Sequence, residues 1–315
     1  MASTPLKMNG WLVFDDEGTS MRSFKAHVDQ LKSVSVDWYK CDSKGVLVRQ
    51  PHPNALERTD ILTTARKHHV KVYALVANEG FESKSLETVM ASPGLVKAHA
   101  SQLAKMAVED GIDGIDLDYE SLAAKERQPF TQLVQAVSQA CHEKKLQVVM
   151  AVHSKESEPG TWDGAQSQDW AALGKAVDFI RVMTYDFHWE TSDPGPIAPP
   201  DWVERVMTFA TSVIPASKLD LGIPGYGYDW LNKKADSYTW DGWVERVKQH
   251  GPAHRDPASQ EMTLSYNGRT AFYADALSAK PKFDIVRKLH LNGLALWRLG
   301  SEEPSFWKLL REYGQ

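Results

Sequence analysis

The chain has 315 residues, 42% hydrophobic and 24% charged, with a formal net charge of −5. That charge is small and of the wrong sign for gripping nucleic acid through its phosphates, and no apolar run reaches the roughly 18 residues that a membrane span needs. Two cysteines, Cys41 and Cys141, are too few for a disulfide framework, and no Cys/His spacing of metal-binding type occurs.

Period-two apolar stretches and helical spacing alternate along the chain. Strands are expected at Asn9–Phe14, Ser33–Tyr39, Lys71–Ala77, Asp113–Glu120, Leu146–Val152, Phe179–Tyr185, Leu219–Ile223 and Gly293–Trp297. The polar Asp15-Asp16-Glu17-Gly18 loop follows the first. Helices are expected at Met21–Leu31, Ala55–His68, Leu122–Lys144, Trp170–Ala176, Trp202–Ile214, Pro281–His290 and Pro304–Tyr313, with a long polar and helical segment before Asp110. Eight βα units of about 35 to 40 residues are the number that closes a parallel barrel. A doubly wound open sheet is the alternative, but its glycine-rich fingerprint is missing. The expectation is one (β/α)8 TIM barrel domain over residues 1–315. Residues 225–273 are read as an elaborated loop between strand seven and its helix, with a hairpin of Met262–Tyr266 and Thr270–Tyr273 around Asn267-Gly268.

The stretch Asp113-Gly114-Ile115-Asp116-Leu117-Asp118-Tyr119-Glu120 carries the strongest chemical signal. As a strand it places Asp116, Asp118 and Glu120 on one face and Ile115, Leu117 and Tyr119 on the other. The apolar alternate residues require a covered face, so this is no solvated acidic edge. Three adjacent carboxylates repel one another and lose hydration unless a cation, a proton or a substrate shares the charge. Two readings follow from the residues: a hard-cation site, or an acid whose pKa is raised until Glu120 donates a proton near neutrality.

The Asp-x-x-Asp-x-Asp-x-Glu pattern resembles the signature of glycoside hydrolase family 18, the chitinase-like enzymes, with all four acids present at Asp113, Asp116, Asp118 and Glu120. Met183-Thr184-Tyr185-Asp186 is similar to the family's Met-x-Tyr-Asp on strand six. Leu221-Gly222-Ile223-Pro224-Gly225-Tyr226-Gly227 is similar to its Gly-Ile-Pro-x-Tyr-Gly on strand seven, and Trp297 ends strand eight, where the family floors its central sugar site. The resemblance implies a barrel and the proton-sharing reading. It makes Glu120 the general acid/base, Asp118 the orienter of the sugar's acetamide and Asp116 a proton-sharing partner of Asp118. Tyr185 then holds the acetamide oxygen, while Trp297, Asp186, Met183, Tyr226, Trp230 and Trp189 bind substrate. Asp113, out of phase with the inward face, is read as structural. Trp240 and Trp243 join Trp189 and Trp230 as stacking candidates among the eleven tryptophans.

After strand seven, Tyr226-Gly227-Tyr228-Asp229-Trp230, and after strand eight, Trp297-Arg298-Leu299-Gly300-Ser301-Glu302-Glu303-Pro304, the chain resembles a bacterial branch that includes spore-cortex and other cell-wall N-acetylglucosaminidases. Leu75-Val76-Ala77-Asn78-Glu79-Gly80 stands where many chitinases carry Ser-x-Gly-Gly, which argues against crystalline chitin. The expected activity is retaining hydrolysis of β-1,4-linked N-acetylglucosamine glycans, of chitooligosaccharide or peptidoglycan type, by substrate assistance. No cofactor or metal is expected; the partner is a glycan and the chain a monomer. The rival is a chitinase-like lectin that binds without cleaving. An extracellular or cell-envelope site of action is expected. Met1-Ala2-Ser3-Thr4-Pro5 lacks a signal-peptide core, which fits a cytoplasmic start as well as one from which a signal was removed.

Overall fold

The computed structural model describes residues 6–14 and 18–314. The chain start at 1–5 and residues 15–17 of the polar loop lie outside the described residues. Eight strands form the frame: β1 (Met8–Leu12), β2 (Leu31–Cys41), β3 (Lys71–Asn78), β4 (Gly114–Asp118), β5 (Gln147–His153), β6 (Phe179–Met183), β7 (Leu219–Pro224) and β8 (Gly293–Trp297). Each pairs in parallel with the next, and β1 pairs with both β2 and β8. The sheet therefore has no open end: it is a closed (β/α)8 barrel. A short strand, Leu47–Arg49, runs antiparallel to the end of β2.

The helices that cover the barrel are α1 (Thr19–His27), α2 (Ala55–Lys67), α3 (Pro93–Asp110), α4 (Arg127–His142), α5 (Trp170–Ala176), α6 (Pro200–Val213), α7 (Ala276–Lys288) and α8 (Phe306–Tyr313). Local chemistry sets their ends. Asn54 caps α2 in a reciprocal box with Glu57. Ser92 caps α3, which has Pro93 in its first turn and stops at Gly111 with φ 64°. α4 buries Phe130, Leu133, Val134, Val137 and Cys141, a single stripe at helical spacing. It starts later than expected because Ser121 takes a left-handed backbone (φ 59°) and Ala123 is extended. α7 starts earlier, at Ala276. Asp275 and Ser278 form a capping box that offsets the hydrogen bond lost at the internal Pro281. No helix among the described residues is long and apolar enough to cross a membrane.

Between β7 and α7 the chain builds a five-stranded antiparallel sheet (Tyr226–Leu231, Lys234–Thr239, His254–Arg255, Met262–Tyr266 and Arg269–Tyr273) and a helix, Trp240–His250. The hairpin turns at Asn267-Gly268, where both residues have positive φ (47° and 75°), as a two-residue primed turn requires. Trp243, Leu264, Ala271 and Tyr273 form a small core of its own. The buried Asp229 is paired with Arg246 and Arg269. Glu261, also buried, accepts from the backbone N–H groups of Ile197 (2.7 Å) and Ala198 (2.6 Å), which lie between β6 and α6.

Cys41 ends β2 at the face where the barrel strands finish and Cys141 lies near the C-terminus of α4; both are buried and not disulfide-bonded. Thiol titration of the denatured, unreduced chain is expected to find two thiols. A result of none would require a bridge that this barrel register cannot make.

Candidate active site

β4 alternates as its sequence dictates. Ile115, Leu117 and Tyr119 are at most 1% exposed against the helices, while Asp116 and Asp118 point into the barrel, 0% and 3% exposed. Tyr119 shares a hydrogen bond of 2.7 Å with His99. Asp113, ahead of the strand, bonds Lys71 (2.7 Å) and the Val72 N–H (2.9 Å), tying the starts of β3 and β4 together.

Asp116 is held across the barrel interior through one oxygen, while its Oδ1 has no hydrogen-bond partner. Its Oδ2 accepts from Arg181 Nη1 at 2.6 Å and from Trp11 Nε1 at 3.0 Å. Arg181, on β6, is 1% exposed. Its other contacts are Ser35 (2.6 Å) and Ser33 (2.9 Å) on β2, and Asp220 on β7 at 3.8 Å. Burial pushes Asp220 up to about 6, against the pull of Arg181. A fixed guanidinium makes Asp116 the ion-paired carboxylate of the three, and beside it stand Asp118 and Glu120. These two are hydrogen-bonded to each other. Burial, followed by the charges of Glu120 and Asp116, raises Asp118 well above the carboxylate range. Glu120 is pushed up to about 7, first by burial and then by the charge of Asp186.

The Glu120 backbone is clamped. Asn78, at the end of β3, accepts from its N–H (2.9 Å) and donates to its carbonyl (3.0 Å). His153, at the end of β5, lies with Nδ1 3.6 Å from Glu120 Oε2, and burial holds it near 4, hence neutral.

Tyr185 and Asp186 follow β6. Tyr185 is 7% exposed and meets Tyr226 edge-on, ring centroids 6.2 Å apart. Gly222 makes room for it, since a Cβ there would come 3.0 Å from the Tyr185 ring and 2.5 Å from the Val182 carbonyl. Asp186 sits at φ 59° and accepts from Tyr226 (2.5 Å) and Tyr228 (3.2 Å). Trp297 and Met183 share an inner layer with Trp11, Leu75 and Ala151, Trp297 meeting Trp11 edge-on at 5.6 Å. The barrel thus gathers Asp116, Asp118, Glu120, Met183, Tyr185, Asp186, Tyr226 and Trp297 at one end.

Two of the tryptophans read as sugar-stacking candidates have no free face. Trp230 is 1% exposed and donates to the Trp189 carbonyl at 3.0 Å; Trp243 is 1% exposed and stacks on Tyr273. Their rings are spent on packing. Trp189 is half exposed, with its indole bonded to Thr191. Three residues to which the sequence reading gave no role shape the site: Arg181, Asn78 and His153. Arg181 carries a readable signal, since it is in phase with Met183 and Tyr185 on the inward face of β6. Among the described residues, no three His, Cys, Asp or Glu side chains converge as a metal cage.

A closed parallel barrel with a half-buried glutamate of raised pKa at the end of one strand, flanked by an Asp and a Tyr-Asp pair, is the architecture of a barrel glycosidase. Residues 11–302 match the sequence family Glycosyl hydrolases family 18, and the chain belongs to it. It is 27% identical over 307 residues to the uncharacterized glycosylase YvbX of Bacillus subtilis (strain 168), covering 93% of this chain and 88% of that protein. It is 25% identical over 293 residues to the cortical fragment-lytic enzyme of the same organism, covering 87% and 66%. In fold it is similar to a crystal structure of a chitinase from Chromobacterium violaceum ATCC 12472, at TM-score 0.89, 24% identity and 98% of both chains. The chain is therefore a family 18 glycosidase related to chitinases and cortex-lytic enzymes.

Replacing Arg181 with Met leaves Asp116 buried and uncompensated. Urea unfolding is expected to show a loss of about 3–5 kcal/mol, the usual cost of orphaning a buried charge. An Arg181→Met, Asp116→Asn double variant should recover much of it, because the pair's strain is then removed at both ends.

Proposed function

We propose that the chain hydrolyses β-1,4-linked N-acetylglucosamine glycans, of chitooligosaccharide or peptidoglycan type, with retention and through an oxazolinium ion. The observation that carries this reading is the hydrogen-bonded Asp118–Glu120 pair, with Glu120 held near 7, beside the buried hydroxyl of Tyr185. Glu120 protonates the leaving oxygen, then draws the proton from the attacking water. The substrate's own acetamide oxygen is the nucleophile, so no second protein carboxylate bonds to C1. Tyr185 aligns that oxygen, and Asp118 orients the acetamide N–H and stabilises the charge that develops on the ring. Asp116, neutralised by Arg181, supports Asp118 from below. The guanidinium also disfavours the hard-cation alternative, because a metal seated on this pair would face a fixed positive charge at 2.6 Å from Asp116.

The glycan class follows from the family and from relatives named as a cortical fragment-lytic enzyme and a chitinase. The same relatives support an extracellular or envelope site of action. One chain carries the whole constellation, which supports action as a monomer. Residues 225–273, anchored by Glu261 and lending Tyr226 to the site, are read as part of the one barrel domain. The lectin alternative has no observation in its favour, as the acid, its partner Asp118 and Tyr185 all stand in place.

Glu120→Gln should keep the shape of the site and lose the proton: turnover is expected to fall at least about a hundredfold, with oligosaccharide binding retained. Only protonated Glu120 can act as acid. In the wild type, kcat/KM should therefore decline as pH rises through about 7, by about tenfold per pH unit well above it; a flat profile to pH 9 would assign the acid elsewhere.

The test of the mechanism is stereochemical. An NMR time course on N-acetylchitooligosaccharides and on purified peptidoglycan should show β product first, since two displacements at one carbon restore the configuration. A thiazoline mimic of the oxazolinium ion should inhibit, because it resembles a species the site stabilises. Product that is α at first would mean direct attack by water and overturn the proposal.

A further inference from the structure

We infer that Trp162 is the platform for the sugar ring on the leaving-group side of the scissile bond. The inference rests on the hydrolase reading and deepens it. Trp162 lies in the loop after β5 and is 46% exposed, whereas Trp11, Trp38, Trp170, Trp230, Trp243 and Trp307 are buried to 1% or less. Exposure alone would mean little, but this ring is held. Its ring and that of His153 meet edge to face, with centroids 4.5 Å apart and planes at 62°. It also lies across Gly164, where a Cβ would come within 2.3 Å of its Cη2 and Cζ3 atoms. Gly164 has no left-handed backbone to explain the glycine; the ring's approach does.

The loop beneath is tied down as well. The buried Lys155 ammonium donates to the carbonyls of Ala165 (3.2 Å) and Gln168 (2.5 Å) and to Glu158 (3.1 Å). Such a pre-ordered ring loses little freedom on binding.

Position gives the held ring its use. His153 bridges Trp162 to the acid: its Nδ1 is 3.6 Å from Glu120 Oε2, while its Nε2 faces the Ser121 N–H at 3.4 Å. Trp162 therefore stands one imidazole away from Glu120. A general acid must reach the glycosidic oxygen, which joins the ring being attacked to the ring that leaves. Asp118 and Tyr185 serve the attacked ring through its acetamide. The surface beyond Glu120, on the β5 side, is left to the departing ring. A β-linked N-acetylglucosamine has equatorial substituents and presents axial C–H groups on its faces, an apolar plate that an exposed indole face covers.

The test compares two substrates that share the attacked ring and differ in what leaves. N-acetylchitotetraose loses a sugar; the β-fluoride of N,N′-diacetylchitobiose loses only a fluoride ion, which cannot touch Trp162. For Trp162→Ala, kcat/KM on the tetramer is expected to fall about tenfold while the fluoride stays within about twofold, and Trp162→Phe should keep most of the tetramer activity. Gly164→Ala, which displaces the ring without removing it, should follow Trp162→Ala. Because fluoride leaves with little help from an acid, the pH profile separates a subsite from a prop: an alkaline limb of the tetramer's kcat/KM that moves in Trp162→Ala would make the ring a support for Glu120 and overturn the inference, as would equal losses on both substrates or an unchanged tetramer rate. A wild type that turns over neither substrate overturns the hydrolase reading, and the subsite with it.

Discussion

A single buried ion pair, Arg181 with Asp116, sets the terms for everything at the active end of the barrel. β4 carries three acids on its inward face because period two leaves them nowhere else to point. Burying three carboxylates without compensation is prohibitive. Arg181 supplies the compensation from β6, and its remaining donors reach Ser33 and Ser35 on β2. One guanidinium therefore ties β2, β4 and β6 across the interior. With Asp116 matched, the residual charge problem falls on Asp118 and Glu120, which relieve it by sharing a hydrogen. The pair is weak evidence of net stability, since a buried ion pair gains little over an apolar one of equal volume. Its value lies in fixing the position of one carboxylate of the three and, through it, of the strand that carries the other two.

Much of this was legible in the chain. Alternating periods located all eight strands, and their number implied closure. The acids of β4, the Tyr185-Asp186 pair and Trp297 were readable because each sits at a strand end, where barrel geometry converges residues far apart in sequence. Arg181, Asn78 and His153 were missed for one reason: their roles depend on which strand lies beside which. Asn78 clamps Glu120 because β3 neighbours β4, and His153 reaches it because β5 does. Aromatic burial was equally hidden. Trp230 and Trp162 are alike as letters, but one is closed in beneath Trp189 and the other rests in the open over Gly164. The start of α7 escaped notice because its box pairs Asp with Ser, whereas the familiar pattern ends in Glu or Gln.

The excursion after β7 bears on the chemistry at the other side of the acid. Asp186 is half-buried, and its loss of hydration pushes its pKa up, while the hydroxyls of Tyr226 and Tyr228 pull it back by donating to the same carboxylate oxygen. Both tyrosines belong to the first strand of the insertion, and that strand is held in register by the hairpin strand Arg269–Tyr273. The charge on Asp186 is in turn the second-largest cause of the raised pKa of Glu120. A line of influence therefore runs from the insertion sheet through two phenols and one aspartate to the acid. Lengthening or loosening that sheet would move the phenols and weaken the hold on Asp186 as an anion, which lessens the smaller of the two causes that raise Glu120, while burial, the larger, remains. The insertion is thereby coupled to the acid strength of the site through the hydrogen bonds of Tyr226 and Tyr228 to Asp186.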